Sequence, residues 1–353
     1  MTGRGNTTAH AALVPGRIAG LSVAGWRRLG LAAVLAGAIL LPWLVTDYRA
    51  FQLTQAMIYA IALVGLNLLT GYNGQISLGH GAFFAIGGYA TAILMHRWGV
   101  PYALTIAPAG LLSFMLGLLF GLPALRLEGL HLALVTLSMA VATPQFLKYF
   151  DHWTGGSQGI ILDKPPAPAW LPIGQDRWLY YLALLALALV LCGGRNLLAG
   201  RTGRALVAIR DHAIAASAMG INLPLYKTLA FGVSALVTGI AGALAALAAG
   251  FVAPDSFNVF LSLSFIVGSV VGGIASVAGA VFGGLFIEFI PNLASDISDA
   301  APWAIYGVFL LAFMYMMPQG IAGALAGLFG QLTAARGAAR PGAESRGGAG
   351  RPS

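Results

Sequence analysis

Residues 203–231 read GRALVAIRDHAIAASAMGINLPLYKTLAF and form a basic, helix-prone segment in a chain that is otherwise strongly hydrophobic. About thirty residues between hydrophobic segments are too many for a simple turn. The alanine-rich centre favours a helix, and Gly220 followed by Pro224 is typical of a helix end. The segment therefore predicts a short helix held against a membrane bundle, on which a partner protein acts. The alternative is a solvated loop whose arginines only fix orientation, and spacing alone favours that loop.

The composition is that of a polytopic membrane protein. Of the 353 residues, 58% are hydrophobic and 8% are charged, and the mean hydropathy is +0.83. A soluble domain carries about 25% charged residues. The single cysteine, Cys192, excludes an internal disulfide framework. The net charge of +8 does not indicate nucleic-acid binding, because the basic residues line the ends of hydrophobic segments and the chain termini, as membrane topology requires.

The hydrophobic pattern predicts an all-α polytopic membrane protein with about ten spans, glycine-interrupted helices and a cytoplasmic helix near residue 210. An ordinary crossing helix needs about 20 apolar residues, and several of these segments are shorter. The predicted spans are residues 29–45, 51–70, 80–95, 101–122, 129–148, 178–194, 226–249, 261–274, 278–291 and 302–318.

The basic residues predict the orientation of the chain. With both termini in the cytoplasm, 14 of the 19 Lys and Arg residues lie inside and 5 lie outside, as the positive-inside rule requires. The predicted organisation is a cytoplasmic N-terminal tail (1–28), a membrane domain (29–325) with a cytoplasmic loop at 195–225, and a disordered cytoplasmic tail (326–353). Residues 151–177 form one long external loop, which is either a docking surface or a passive linker.

Two glycine-rich stretches break the hydrophobic pattern at corresponding places, residues 65–88 and 268–284. Irregular backbone at membrane depth is tolerated only where it is buried in protein or faces water, and paired interruptions indicate a translocation path. Close packing of small residues is the alternative, and for 268–284 we favour it. The candidate path residues of the first stretch are Asn73, Gly74, Gln75, Ser77, Gly79 and His80.

Ionisable residues in the predicted spans need separate explanations. Glu288 lies inside the span 278–291, and a charge at the bilayer centre costs about 2.5–3.5 kcal/mol, so Glu288 joins the candidate path. Its position near the end of the span leaves an interfacial, non-functional role open. His80 follows Ser77 by three residues, but a lone histidine at a helix start is more often structural.

The sequence lacks the motifs of catalysis and nucleotide binding. Ser77 has Gln75 and not glycine two positions before it, so it is not part of a Gly-x-Ser-x-Gly elbow, and the Gly-x-Ser-x-Gly pattern at 155–159 lies in the predicted external loop and not between a strand and a helix. The sequence has no His-Glu-x-x-His and no phosphate-cradling Gly-x4-Gly-Lys-Ser/Thr. The six histidines and one cysteine do not cluster as metal ligands. We therefore predict no catalytic residue, no metal site and no cofactor, and any nucleotide energy must come from another chain.

Three ordered motifs carry a family resemblance. They are GYNGQISLGHGAFFAIG at 71–87, LRLEGLHLALVTL at 125–137, and the polar segment with Arg210-Asp211, an alanine pair, Gly-Ile-Asn and a lysine four residues before Phe231. Together they resemble LivM-type permeases, the membrane subunits of branched-chain amino acid ABC importers, over about residues 50–325.

The resemblance implies a coupling helix at 205–220 that docks on an ATPase. The general ABC-importer motif has Glu before the alanine pair; here that position is Ile214, a departure usual in relatives with Gly-Ile-Asn. The residues assigned to coupling are Arg204, Arg210, Asp211, Ala215, Ala216 and Gly220.

The implied function is permeation of the bacterial inner membrane by branched-chain amino acids, or by a related small solute such as urea or a short amide, driven by ATP hydrolysis on separate subunits. The implied partners are a second related permease subunit, two ATPase subunits, a periplasmic or lipid-anchored substrate-binding protein, and membrane lipid. The residues alone leave an alternative open, a stand-alone proton-coupled carrier or channel that needs only this chain.

Overall fold

The structure of the chain is a computed structural model that describes residues 17–18, 21–127, 129–168, 173–297, 302–317, 320–324 and 327. The predicted C-terminal tail at 326–353 therefore lies, apart from residue 327, outside the described residues. The chain divides into two units, Met1–Asp47 and Tyr48–Ser353. We describe each unit by itself.

The described residues form twelve α-helices, one π-helical segment and four short strands. The helices are α1 (Val23–Leu44), α2 (Asp47–Leu66), α3 (His80–Trp98), α4 (Tyr102–Ala124), α5 (Leu130–Tyr149), α6 (Asp151–Thr154), α7 (Gln175–Ala199), α8 (Arg201–Ala218), α9 (Leu223–Ala249), α10 (Val259–Gly272), α11 (Gly279–Ile297) and α12 (Pro302–Met316), with the π-helical segment at Asn67–Tyr72. The strands are β1 (Arg17–Ile18), β2 (Leu21–Ser22), β3 (Ile160–Ile161) and β4 (Phe251–Val252).

The first unit holds a two-residue hairpin and one helix. β1 pairs with β2 in antiparallel register, with Arg17 opposite Ser22 and Ile18 opposite Leu21. α1 follows directly and contains Pro42 close to its end.

Each of the ten predicted spans coincides with a helix of the structure. Among the described residues, five helical segments are long and apolar enough to cross a membrane, and they are Asp47–Tyr72, Tyr102–Ala124, Leu130–Tyr149, Gln175–Ala199 and Leu223–Ala249. The stretches 32–44, 259–272 and 279–295 are apolar but shorter. α10, with 14 residues, extends only about 21 Å at 1.5 Å per residue. The chain is thus an all-α multi-pass protein, while the count of ten spans stays a prediction.

α9 is the central helix of the second unit and packs on α3 and α4 through small residues. Gly87 of α3 contacts the backbone of Gly239 in α9. On the α4 side, a Cβ added to Gly117 would lie 2.5 Å from the Cβ of Ala235. Small residues let helix backbones approach closely in a membrane, where apolar burial between helices supplies little driving force. The high glycine content therefore serves helix packing here.

α10 and α11 form a tight helical hairpin across the second glycine-rich stretch. Gly272 contacts Gly279 and Gly268 contacts Gly283, so no side chain separates the two backbones. Gly284 continues this surface and packs against the backbone of α2 at Ala56. The packing interpretation of residues 268–284 is confirmed by these contacts.

The connection predicted as a long external loop is folded where it is described. α6 is followed by a 3₁₀ turn at Gly156–Gln158 and by β3, which pairs with β4 after α9. Lys148 of α5 forms an ion pair with Asp255, at 2.6 Å between Nζ and Oδ1. The predicted loop is therefore tied to the end of the bundle where α9 finishes.

Candidate functional site

At the first glycine-rich stretch, α2 does not end in an ordinary helix terminus but continues into an irregular helical turn. α2 widens into a π-helical turn at Asn67–Tyr72, and π-helical turns occur often at functional sites. Gly74 then adopts φ of +75°, a conformation that glycine reaches without strain. Two hydrogen bonds close the turn, from Gln75 N to Leu69 O at 3.2 Å and from Thr70 Oγ1 to Gln75 O at 3.1 Å. The predicted interruption is confirmed, and α3 begins only at residue 80.

The two glycine-rich stretches meet in the fold. Asn67 Nδ2 donates to the Ser276 carbonyl at 3.2 Å, and Ser269 Oγ donates to Asn67 Oδ1 at 2.6 Å. A Cβ added to Gly71 would lie 2.5 Å from the backbone nitrogen of Ala275. The interrupted end of α2 and the turn between α10 and α11 therefore form one packed unit.

We expect Asn67→Leu to destabilise this unit measurably. The change removes two hydrogen bonds of a buried amide, and each such bond in a membrane protein contributes about 0.6–2 kcal/mol. The measurement is the apparent melting temperature of the purified chain in detergent. Thr54→Val is the control, because buried Thr54, among the residues that the structure describes, donates its side-chain hydrogen bond to Ala50 O of its own helix. Equal melting temperatures for the two variants would contradict the role of Asn67.

His80 is a structural residue with both ring nitrogens in hydrogen-bond contact. Its side chain is 1% exposed, with Nδ1 3.1 Å from Ser77 Oγ and Nε2 2.6 Å from Ser234 Oγ. Because Ser234 Oγ donates its only hydrogen to Gly65 O, it accepts from Nε2–H, and Nδ1 accepts from Ser77. The neutral imidazole thus joins α3 to α9 and to α2.

Ser77 and Gly79 also serve packing. Ser77 is 1% exposed, and a Cβ on Gly79 would lie 2.8 Å from the Thr136 carbonyl of α5. The Leu78 amide donates to Thr136 Oγ1 at 2.9 Å. Of the predicted path residues in this stretch, these two and His80 lie in the packed interior.

The remaining three predicted residues line a cavity. Asn73, Gly74 and Gln75 face a space of about 270 Å³, which the basic side chains of Arg210 and Lys227 also line. Asn73 Nδ2 donates to Gln75 Oε1 at 2.9 Å. The other lining residues are Leu127, Gly129, Leu132, Ile209 and Ala213. The structure therefore brings the predicted path and the predicted coupling segment together at this cavity.

Arg210 connects α8 directly to the interrupted segment. Its Nη1 donates to the Gly71 carbonyl at 3.0 Å, while Nε and Nη2 bind the Asp211 carboxylate at 3.0 and 2.9 Å. A Cβ on Gly74 would lie 2.9 Å from Arg210 Cγ, so the arginine stem rests on the glycine backbone. A charged donor on a backbone carbonyl forms a stronger bond than a neutral pair. Displacement of α8 at this point must therefore act on the 71–74 backbone.

The predicted continuous helix at 205–220 is wrong in one respect, because α8 is kinked. His212 has φ of −155° and ψ of 91°, an extended conformation that separates the helical piece 201–211 from the piece 213–218. Composition alone favoured one helix, since six alanines lie within it. The kink leaves Arg210 on the first piece and the alanine pair on the second.

The second piece of α8 ends in an exposed tip. We call Ile214, Ala215, Ser217, Ala218, Met219 and Gly220 the α8 tip; all are exposed, Ile214 and Met219 by 86% and 84%. Ala216 is only 3% exposed and packs into its own chain, so it does not lie on the surface where close contact with a partner was predicted. Gly220 has φ of +83° and open space around its Cα, which fits a helix end.

Two predicted residues lie away from the cavity. Glu288 is half-buried on α11, where its own carbonyl and Oε1 accept from Asn292 Nδ2 at 2.7 and 3.4 Å. Arg204 is exposed on α8, and its Nη1 donates to Ala199 O at 3.3 Å. Neither side chain lines the cavity described above.

Several residues of the site were not among the predicted ones. Lys227 lines the cavity, Thr136 holds the 78–79 backbone, and Asn67 joins the two glycine stretches. All three lie inside the motifs or stretches that the sequence singled out. Membership of a motif was thus the available signal, but it does not distinguish a lining residue from a packing residue.

Comparison with known proteins agrees with this geometry. A family described as branched-chain amino acid transport system / permease component matches residues 48–318. The chain belongs to this family. Family membership makes this permease a multi-pass transport subunit of the inner membrane and not an enzyme. The resemblance that the three motifs carry is confirmed.

Individual relatives extend the comparison over most of the permease. It is 33% identical to the high-affinity branched-chain amino acid transport system permease protein LivM of Salmonella typhimurium, over 84% of this chain and 75% of LivM. LivM of Escherichia coli is 32% identical with the same coverage. The permease protein LivH of Salmonella typhimurium is 24% identical over 75% of this chain and 91% of LivH. No solved structure matches.

Proposed function

We propose that this permease is one membrane subunit of an ATP-driven importer for branched-chain amino acids or a related small solute such as urea or a short amide. Its family and the names of its relatives support the substrate class. The proposal depends most on the hydrogen bond from Arg210 to the Gly71 carbonyl. Through this bond, a partner protein that moves α8 also moves the interrupted end of α2.

The mechanism is alternating access. ATP draws two ATPase subunits together, and they displace the α8 tip on the cytoplasmic side. Arg210 passes that displacement to the backbone at Gly71, whose π-helical turn is already widened. Because Asn67 joins this turn to the α10–α11 hairpin, the hairpin moves with it. The two interrupted segments then open the path toward the external binding protein.

The proposed partners are supported by the relatives, by the missing nucleotide-binding motif and by the exposed α8 tip. Its relatives LivM and LivH both carry the name permease protein of one kind of transport system, which supports a second related permease beside this one. The sequence has no phosphate-cradling motif, so two separate ATPase subunits supply the energy. The exposed apolar α8 tip suits a groove on an ATPase.

We expect Ile214→Lys to weaken ATPase association at least tenfold. Ile214 is 86% exposed, so the change leaves the fold of this chain intact but places a charge in an apolar contact. The measurement is co-purification and titration of the ATPase against the membrane subunits. Ile161→Lys is the matched control, since Ile161 is 77% exposed on β3 at the other end of the bundle. Equal affinities for both variants would exclude the tip as the docking surface.

Reconstitution tests the proposed function as a whole. The complete complex in proteoliposomes, with ATP and a binding protein, should take up radiolabelled leucine or one of the related solutes. This chain alone under a proton gradient should take up none. Proton-driven uptake by the chain alone would overturn the proposal and establish the alternative, a stand-alone carrier in which Glu288 moves the proton.

A further inference from the structure

We propose that the outward face of α5 is the surface on which the second permease docks with one of its transmembrane helices. The inference rests on the proposed function, which supplies that second permease, and adds to it the surface that joins the two chains. α5 is long and apolar enough to cross a membrane, yet its exposed side is not wholly apolar.

The exposed side of α5 carries a polar side chain at every seventh residue. These residues are His131, Ser138 and Gln145, and all three are exposed. Seven residues make nearly two full helical turns, so the three side chains lie along one line. At 1.5 Å per residue this polar line is about 21 Å long, which is most of the thickness of the hydrocarbon core. The polar line therefore crosses the depth of the membrane at which polar groups are costly.

The exposed sides of α4 and α7 are different. Every exposed residue of α4 is apolar, and so are the exposed Leu185 and Leu189 near the centre of α7. Such faces suit contact with lipid chains, which form no hydrogen bonds. The amide of Gln145 needs a donor and an acceptor, because it has no hydrogen-bond partner among the residues that the structure describes. The outward face of α5 therefore suits contact with protein.

The shape of this face fits a helix. A groove of about 730 Å³ runs along α5 from Leu137 to Tyr149, and all of its lining residues belong to α5. Ser138 and Ala142 lie one turn apart in the groove, and small residues at this spacing let a second membrane helix approach closely. Ser138 Oγ donates to Leu134 O at 3.0 Å, so its lone pairs remain for a donor on the docked helix.

The second permease is the proposed partner that reaches this depth. The ATPases and the binding protein act at the two membrane surfaces, whereas Ser138 lies near the middle of a crossing helix. α1 of this chain has no hydrogen-bonding side chain from Leu29 to Pro42, so it does not satisfy the polar line. Two related chains pair most simply through the same surface on each, which places the partner's equivalent of α5 in the groove.

Photocrosslinking in the complete complex tests which molecule covers the groove. The photoreactive residue p-benzoylphenylalanine replaces Val141, which lines the groove and is 52% exposed. In the matched control it replaces Leu112 of α4, which is 46% exposed. Each subunit in the membrane vesicles carries a different epitope tag. We expect position 141 to yield at least tenfold more crosslinked second permease than position 112, with the link mapped by mass spectrometry to the helix equivalent to α5.

Variants test whether small and polar residues of the groove hold the two permeases together. Ser138→Leu should weaken their association at least tenfold, because the larger side chain fills the place of close approach. Gln145→Leu should weaken it about threefold or more through loss of hydrogen bonds between the helices. Ala107→Leu is the control, since it adds the same side chain at an exposed position of α4. Förster transfer between the labelled permeases, in liposomes of increasing lipid content without ATPases, measures the association, and size-exclusion chromatography of each variant checks its fold.

Four results would overturn this docking surface. They are a crosslink from position 141 to a second copy of this chain or to a soluble subunit, a crosslink within the chain to α1, no more second permease at position 141 than at position 112, and equal association of both groove variants and the Ala107→Leu control. Solute uptake by the complete complex alongside any of these results would reject the surface and leave the proposed function standing. Uptake by this chain without a second permease would reject both.

Discussion

Arg210→Gln should lower ATP-dependent uptake by the assembled complex at least tenfold. The change removes the charged donor that binds the Gly71 carbonyl, and glutamine is too short to reach it from the same backbone position. Hydrogen bonds to charged groups contribute about 1.5–3 kcal/mol, which corresponds to a factor of about 10 to 150. Initial uptake rates in proteoliposomes, together with solute-stimulated ATP hydrolysis, measure the effect. We expect uptake to fall more than hydrolysis, because the ATPases keep their contact with the α8 tip.

Arg201→Gln provides the comparison for this result. It removes the same charge from the same helix, because Arg201 is the first residue of α8, is exposed and does not line the cavity. We expect uptake close to that of the wild type. If both variants lose uptake to the same extent, net charge on α8 is the cause and the link to Gly71 has no special role.

Gly87→Val should prevent recovery of folded permease. Gly87 touches the backbone of Gly239 where α3 crosses α9, so the added side chain meets backbone atoms that cannot rotate away. Overpacking a filled core costs about 1–3 kcal/mol and sometimes more, and two long helices must separate here to relieve it. The measurement is the fraction of monodisperse protein in fluorescence-detected size-exclusion chromatography.

The same substitution at Gly193 separates packing from helix propensity. Gly193 lies within α7, is exposed, and has no atom within 4 Å of an added Cβ. Both variants carry the same change in intrinsic helix preference, so Gly193→Val should be recovered like the wild type. Similar loss of both proteins would show that close approach at Gly87 is not what the fold requires.

The helices of this permease were predictable because hydrophobic length fixes them. A long apolar run in a membrane must satisfy its backbone internally, and a helix is the simple solution. α4 and α9 therefore lie within three residues of the predicted spans 101–122 and 226–249. The glycine-rich stretch after α2 also predicted an irregular backbone, since its glycines and polar residues break the hydrophobic pattern.

The form of each irregularity was not predictable, because distant residues determine it. The π-helical turn is held by Ser269 and Ser276, which lie more than 200 residues from Asn67. The kink at His212 breaks a segment whose local composition favours a continuous helix. Tertiary contacts override local propensity at such places.

The candidate site, too, was predictable from the sequence only in part. The 71–81 motif contained the cavity-lining residues Asn73 and Gln75 and also the packed residues Ser77 and His80. All four are polar and close in sequence, so the sequence offers no basis for separating them. Only the positions of Ser234 and Arg210, which lie on other helices, decide which side chains are satisfied in the interior.

A disulfide between positions 74 and 210 tests most directly whether α8 drives the interrupted segment. A Cβ at Gly74 would lie 3.4 Å from the Cβ of Arg210, close to the disulfide range of about 3.5–4.5 Å. The variant carries Gly74→Cys and Arg210→Cys, with the exposed native Cys192 replaced by serine.

The measurement is ATP-dependent uptake by the same complex before and after oxidation. Reduced, the variant lacks the arginine link and should be uncoupled. Oxidised, α8 and the 71–74 backbone are covalently joined and should move together, so our account predicts that uptake rises on oxidation and falls again on reduction. Uptake that stays at the reduced level, or falls further when the disulfide forms, would contradict it.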